Sequence, residues 1–273
     1  MAGDVKMVKA AKVAQVRALV LRTAGTNCDY ETVYAIEKAG AVAERIHINL
    51  FKNKEVNMND YQLLAIPGGF SYGDDIAAGR LMANEMKYLL KQMVLEFAHS
   101  LKPVIGICNG FQVLVQTGLL PGFELVDVKE LTALANNDTG RFEDRWVNLT
   151  TNKKSRCLFT EGMGDIYLPI AHGEGKFMVA DEETLHRIVK QGQIVFQYVN
   201  EKGKSAGYPH NPNGSVLDIA GICNAKGNVL GMMPHPERHV TRYQHPRWTR
   251  EKLKEEGDGM ALFKNAVKYA GKL

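Results

Sequence analysis

The 273-residue sequence predicts an α/β fold, a mostly parallel sheet flanked by helices and extended by antiparallel strands. Three observations carry that expectation. Between Arg17 and Gly118, short apolar runs alternate with amphipathic stretches, which requires crossover connections and therefore parallel pairing. Most of these runs stop at turns containing Gly or Pro, such as Pro67-Gly-Gly69. Beyond Arg145 the pattern changes to strand-like runs with few long helical patterns between them, suited to antiparallel additions to the same sheet.

The first strand is expected over residues 18–21, stopping at Thr23-Ala-Gly-Thr26. A helix follows over 30–39, with Gly40 suited to its C-cap. Residues 42–48 alternate polar and apolar side chains and read as the second strand. Residues 63–66 form the third, ended by Pro67-Gly-Gly69. Met86, Leu89, Leu90, Met93 and Phe97 lie mostly at helical spacing and predict a helix over 83–97. Residues 103–107 form a fourth strand that runs into Cys108-Asn-Gly110 and an apolar helix. Further strands are expected over 145–150, 165–170, 193–199, 217–222 and 229–233, with hairpin turns at Asn211-Pro-Asn-Gly214 and Ala225-Lys-Gly-Asn228. Residues 243–256 read as a polar, basic surface segment, and 257–273 as a closing helix. No repeat or low-complexity linker divides the chain. A single domain over 1–273 is expected, with an N-terminal extension over 1–17 and a basic C-terminal extension over 242–273.

Composition narrows the function classes. Hydrophobic residues at 45% and charged residues at 23% exclude a disordered or fibrous chain. The net charge of +4 is uneven: residues 238–273 hold nine Lys/Arg against four acids, and residues 1–17 hold four against one. The body between them is weakly acidic, which speaks against a nucleic-acid binder. No stretch approaches the roughly 18 consecutive apolar residues of a membrane span, and Gln15 and Arg17 interrupt the apolar run near the N-terminus. Cys28, Cys108, Cys157 and Cys223 are scattered without a C-x-x-C pair or zinc-like spacing, as in a cytoplasmic protein with reduced thiols.

The sharpest signal is Gly106-Ile-Cys-Asn-Gly110 between an apolar strand and a helix. Glycines two before and two after Cys108 permit the tight turn of a nucleophile elbow, with sulfur in place of oxygen. Such a turn lifts the thiol above the strand end and sets it at a helix N-terminus, where the field favours thiolate. A buried structural cysteine is the competing reading. A thiol nucleophile needs a base, and of eight histidines His172 and His235 remain once those in regular elements, a turn and the tail are set aside. His235 stands in Met233-Pro-His-Pro-Glu237; in extended backbone, Glu237 projects to its side and can orient the ring. Two glycines at the end of the third strand let main-chain N–H groups approach a ligand. The Gly69 loop and the Asn109 N–H are thus candidate oxyanion donors.

Gly106-Ile-Cys-Asn-Gly-Phe-Gln112 with Pro234-His-Pro-Glu237 resembles a class I, triad-type glutamine amidotransferase. Further stretches narrow the resemblance: Gly25-Thr-Asn-Cys-Asp29, Gly68-Gly-Phe-Ser-Tyr-Gly-Asp74, Gly140-Arg-Phe-Glu-Asp-Arg-Trp146 and Ala171-His-Gly-Glu-Gly-Lys-Phe177. Together they are similar to the glutaminase subunits of phosphoribosylformylglycinamidine synthase, the PurQ type, from about residue 19 to residue 239. The sequence departs at Asp75-Ile76, where many members have Tyr after Gly-Asp. The resemblance implies a flavodoxin-like sheet and a purine-biosynthetic glutaminase. Cys108 would attack glutamine to form a thioester and release ammonia, with His235 as acid and base and Glu237 as its orienter. Gly69 and Asn109 would face the oxyanion, and Gln112, His172 and Gly173 would hold glutamine. Cys28, in no nucleophile turn, is expected to be structural.

The resemblance further implies a separate synthetase subunit, accompanied by a small third subunit. This chain contains no G-x-x-x-x-G-K-[ST] cradle. ATP and Mg are therefore expected on the synthetase, with no cofactor or metal in this chain, no nucleic acid and no membrane. A glutaminase of another pathway and a catalytically silent scaffold are the alternatives. The additional motifs argue against the first, and the intact Cys, His and Glu set against the second.

Overall fold

The computed structural model describes residues 15–70, 91–123 and 131–273. The parallel half begins with β1 (Arg17–Arg22), α1 (Asp29–Lys38), β2 (Val42–His47), the short α2 (Ile48–Lys52) and β3 (Leu63–Ile66). It continues with α3 (Lys91–His99), β4 (Val104–Ile107) and α4 (Asn109–Gln116). The remainder comprises β5 (Thr132–Ala135), β6 (Glu143–Thr151), β7 (Ile166–His172), β8 (Lys176–Val179), α5 (Glu182–Lys190), β9 (Ile194–Val199), β10 (Ile219–Cys223), β11 (Val229–Met232) and α6 (Met260–Ala270). Residues 83–90 of the helix expected before β4, residues 71–74 of the Gly68–Asp74 motif and Asp75-Ile76 lie outside the described residues.

Among the described residues, nine strands form one sheet in the order β2-β1-β3-β4-β11-β10-β9-β6-β7. Pairing is parallel from β2 through β11. It is antiparallel from β11 through β7. The sheet is thus the predicted parallel unit with antiparallel strands added along one edge. Every residue of β3, β4 and β11 is buried, as expected of strands covered on both faces, and each reads as a continuous apolar run. On one layer α1 touches α6, while α4 packs across β3, β4 and β11. Met260, Leu262, Phe263, Ala266 and Ala270 of α6 are buried, so the closing helix is part of the core.

The differences from expectation have local causes. Strand β2 ends at His47 because its Nδ1 accepts the Asn49 N–H at 3.2 Å and caps α2. Strands β5 and β8 escape the sequence pattern: they are four residues each and pair only with one another, outside the main sheet. The helix α5 was likewise missed; it is capped by Asp181, whose Oδ1 accepts the Thr184 N–H at 2.7 Å, and it buries only Thr184 and Ile188. The Ala225–Asn228 turn joins the antiparallel pair β10 and β11, whereas Asn211–Gly214 lies inside the long connection from β9 to β10.

The central register is fixed by a buried amide. Asn228 Nδ2 donates to the Ala98 and Lys102 carbonyls, each at 2.9 Å, and the Asn228 carbonyl accepts the Val104 N–H at 2.8 Å. This ties the start of β4 to the start of β11. Asn228→Ala removes three side-chain hydrogen bonds, the third accepted from Asn224 Nδ2 at 3.1 Å, and leaves buried polar groups unsatisfied, so chemical denaturation is expected to show a loss of about 3 kcal/mol.

Candidate active site

Cys108 is the single residue between β4 and α4, and its backbone sits at φ 51°, ψ −106°. A residue with a Cβ rarely occupies positive φ, and here the surrounding structure imposes it. The turn closes because two neighbours lack side chains. A Cβ on Gly106 would stand 2.5 Å from the Gly110 carbonyl oxygen, and one on Gly110 would fall on the Ile66 carbonyl. The Phe111 and Gln112 N–H groups donate to the Cys108 carbonyl at 2.9 and 3.2 Å, starting the helix immediately. The elbow read from the sequence is therefore present.

The adjacent strand supplies the histidine. The Cys108 N–H donates to the Met232 carbonyl at 2.8 Å, and three residues later the His235 N–H donates to the Pro169 carbonyl at 2.9 Å. His235 is extended, and Pro236 opens a single turn that folds Glu237 back toward the ring. His235 Nδ1 and Glu237 Oε1 are 2.6 Å apart, with both side chains buried. Around them the chain is tight: a Cβ on Gly68 would lie 2.8 Å from His235 Cε1, 3.3 Å from Cys108 Cβ and 3.4 Å from Cys28 Sγ. His235 Nε2 and Glu237 Oε2 have no hydrogen-bond partner among the described residues. Burial opposes a charge on His235, but Glu237 and the thiols of Cys108 and Cys28 outweigh it. The His235 pKa is held well above the ordinary imidazole value.

These residues open into a cleft of about 370 Å³. Of the residues expected from sequence, Gly69, Cys108, Gln112, His172, Gly173 and His235 line it. Glu237 lies behind His235, and Asn109 begins α4 with its Nδ2 donating to Gln112 Oε1 at 3.2 Å. Gln112 Nε2 in turn donates to the Glu174 carbonyl at 2.7 Å, and Cys108 Sγ lies 3.7 Å from the Ala171 carbonyl oxygen. His172 is neutral: burial, then the nearby His235, push its pKa down to about 4. Its Nδ1 lies 3.1 Å from Asn137 Oδ1. Because Asn137 Nδ2 donates to two carbonyls, this ring nitrogen is the one that carries the proton.

Sequence reasoning missed Asn27, Cys28, Phe70, Phe142, Ala171 and Arg238 in the cleft wall, while Glu174 lines it in the same loop as the expected His172 and Gly173. Each lies within or beside a motif quoted above, but motif membership does not say which side chains converge. Cys28, expected to be structural, faces the site: Arg238 Nη2 donates to its sulfur at 3.1 Å. Burial pushes the Cys28 thiol up, partly offset by His235 and Arg238. One donor atom each from Cys28, His235 and Glu237 falls within 4.8 Å of the others. His235 Nδ1 is bonded to Glu237 Oε1, and the Arg238 guanidinium donates to the Cys28 sulfur.

Comparison with known proteins identifies the family. Residues 15–270 match the family described as the CobB/CobQ-like glutamine amidotransferase domain, so the match includes α6. The chain is 48% identical to the PurQ subunit of phosphoribosylformylglycinamidine synthase from Dehalococcoides mccartyi, covering 94% of this chain and 99% of that one. It is 44% identical to the corresponding subunit of Archaeoglobus fulgidus, covering 95% and 98%. Among solved structures, a chain of the PurLQS structure from Thermotoga maritima superposes with a TM-score of 0.72 at 31% identity, covering 93% of this chain and 99% of that one. A glutamine amidotransferase from the same organism shares the fold, with a TM-score of 0.55 at 16% identity, over 95% and 99%. The chain thus belongs to the CobB/CobQ-like glutamine amidotransferases and, within them, to the PurQ-type glutaminase subunits of phosphoribosylformylglycinamidine synthase in purine biosynthesis.

Proposed function

We propose that the cleft hydrolyses glutamine through Cys108, His235 and Glu237 and delivers the ammonia to a separate synthetase subunit. The observation that carries this reading is the buried 2.6 Å contact between His235 Nδ1 and Glu237 Oε1, which leaves Nε2 for the thiol side. The sulfur of Cys108 attacks the carboxamide carbon while His235 takes the thiol proton. The main-chain N–H groups of Gly69 and Asn109 face the developing oxyanion. Collapse expels ammonia with the proton from His235 and leaves a γ-glutamyl thioester. Water, deprotonated by His235, then releases glutamate and restores the thiol. Glu237 stabilises the imidazolium and fixes the ring's tautomer, while Gln112, His172 and Gly173 hold glutamine in place.

Ammonia set free in water near neutral pH is mostly ammonium and no longer nucleophilic, so a sheltered transfer to a docked partner fits the chemistry. The likeness to a chain of the PurLQS structure supports a partner of that kind. In this reading the synthetase holds ATP and Mg and performs the amination of formylglycinamide ribonucleotide, and a small third subunit completes the assembly. Four unpaired cysteines support a cytoplasmic location.

In the assembled complex, Cys108→Ala is expected to abolish glutamine-dependent synthesis while synthesis from added ammonium salt persists. Loss of both would remove Cys108 from the nucleophile's role. His235→Asn should slow single-turnover thioester formation by more than about a hundredfold, and Glu237→Gln by less, because the base itself remains.

His172 gives the fold an acid sensitivity. Its proton affinity is depressed in the native state, so its contribution is present above pH 6.5 and lost as pH falls toward about 4. Chemical denaturation across that window should show about 3 kcal/mol of acid destabilisation that His172→Gln removes.

A further inference from the structure

The strand β7 ends at His172, and the irregular segment beyond it forms one wall of the cleft through His172, Gly173 and Glu174. Two main-chain oxygens here are positioned against the chemistry: Ala171 O beside Cys108 Sγ, and Glu174 O on Gln112 Nε2. No regular hydrogen-bond ladder shapes residues 173–175, so their placement depends on other groups.

One side chain supplies most of it. Asn137, 3% exposed, follows β5. Its Nδ2 donates to the His172 carbonyl at 2.9 Å and to the Arg141 carbonyl at 2.8 Å. Its Oδ1 accepts the Gly175 N–H and the His172 Nδ1–H, each at 3.1 Å. Its main-chain N–H donates to the Gly173 carbonyl at 2.9 Å. Four of these five bonds hold residues 172–175, at both ends and in the middle. A second amide, Asn213, secures the Gly175 carbonyl at 2.8 Å. The packing demands this arrangement: the His172 ring edge lies so close over Gly175 that a Cβ there would meet three of its atoms.

We infer that Asn137 is a positioning residue for glutamine, acting through the 172–175 segment. It selects the His172 tautomer and accepts the Gly175 N–H, whose peptide unit carries the Glu174 carbonyl that meets Gln112, while its own donors hold the His172 and Gly173 carbonyls of the same segment. The side chain touches no reacting atom. Its effect is to keep the wall in the geometry that binds substrate, so its loss falls on substrate affinity and leaves the Cys108 elbow and the His235–Glu237 pair in place.

This inference rests on glutamine being the substrate of the cleft, and the test separates the two. The complex with the synthetase is assayed with glutamine and with ammonium salt for the wild type, Asn137→Ala and Asn137→Asp. Wild-type labelling by a glutamine-analogue chloroketone serves as the control. Asn137→Ala is expected to raise KM for glutamine about tenfold, with kcat within about threefold and ammonium-dependent synthesis unchanged. Asn137→Asp keeps the acceptor for His172 and Gly175, so its KM should rise less. An unchanged KM in Asn137→Ala, or a loss falling equally on kcat and on ammonium-dependent synthesis, overturns the inference. Should the alanine variant fail to fold, the aspartate variant decides: a raised KM with kcat retained supports it, and an unchanged KM overturns it. A wild-type chain unlabelled at Cys108 would instead overturn the glutaminase assignment of the cleft.

Discussion

The hydrogen bond from the Cys108 N–H to the Met232 carbonyl, 2.8 Å long, is the constraint on which the site depends. It closes the parallel ladder in which Gly231 pairs with Gly106 and Met232 with Ile107. Both strands therefore end at the same height, one turning into the elbow and the other running three residues on to His235. A slip of one residue would shift β11 by about 3.3 Å and turn its side chains to the opposite face. The nucleophile and the base would then no longer meet. Asn228 sets the same register at the other end of the two strands.

Neighbouring charge separates the behaviour of the two histidines. Both are almost wholly removed from water, yet His235 gains protons more readily than a free imidazole and His172 less readily. The difference is the neighbour: Glu237 carries negative charge against His235, while His172 faces an amide and another histidine. In one cleft, environment alone yields a proton carrier and a neutral wall residue. The His235 pair also stands beside a second thiol held by Arg238, so the polar interior is wider than a three-residue arrangement.

Much of the fold was legible because of burial. Strands covered on both faces must be apolar throughout, and β3 follows the boundaries expected from its apolar run. Cys108, His235 and Glu237 were legible because their geometry is local: an elbow needs glycines at fixed offsets, and Glu237 stands only two positions from His235, although a turn opened by Pro236, not the extended backbone expected, brings it to the ring. Strands β5 and β8 were not legible, since short strands stabilised only by each other carry little pattern of their own. Nor were Cys28, Arg238 and Asn137. Their roles rest on contacts 210 residues apart in the case of Cys28 and Arg238, and 35 residues apart for Asn137 and His172.

By itself, then, the sequence determined the class of fold, the elbow and the order of the chemistry-bearing residues, because these follow from periodicity, glycine placement and short-range geometry. Only the tertiary structure decided which side chains wall the cleft, which histidine stays neutral, and that Cys28 faces the site rather than the core. Those outcomes depend on through-space neighbours and on removal from water, and neither is written at any single position of the chain.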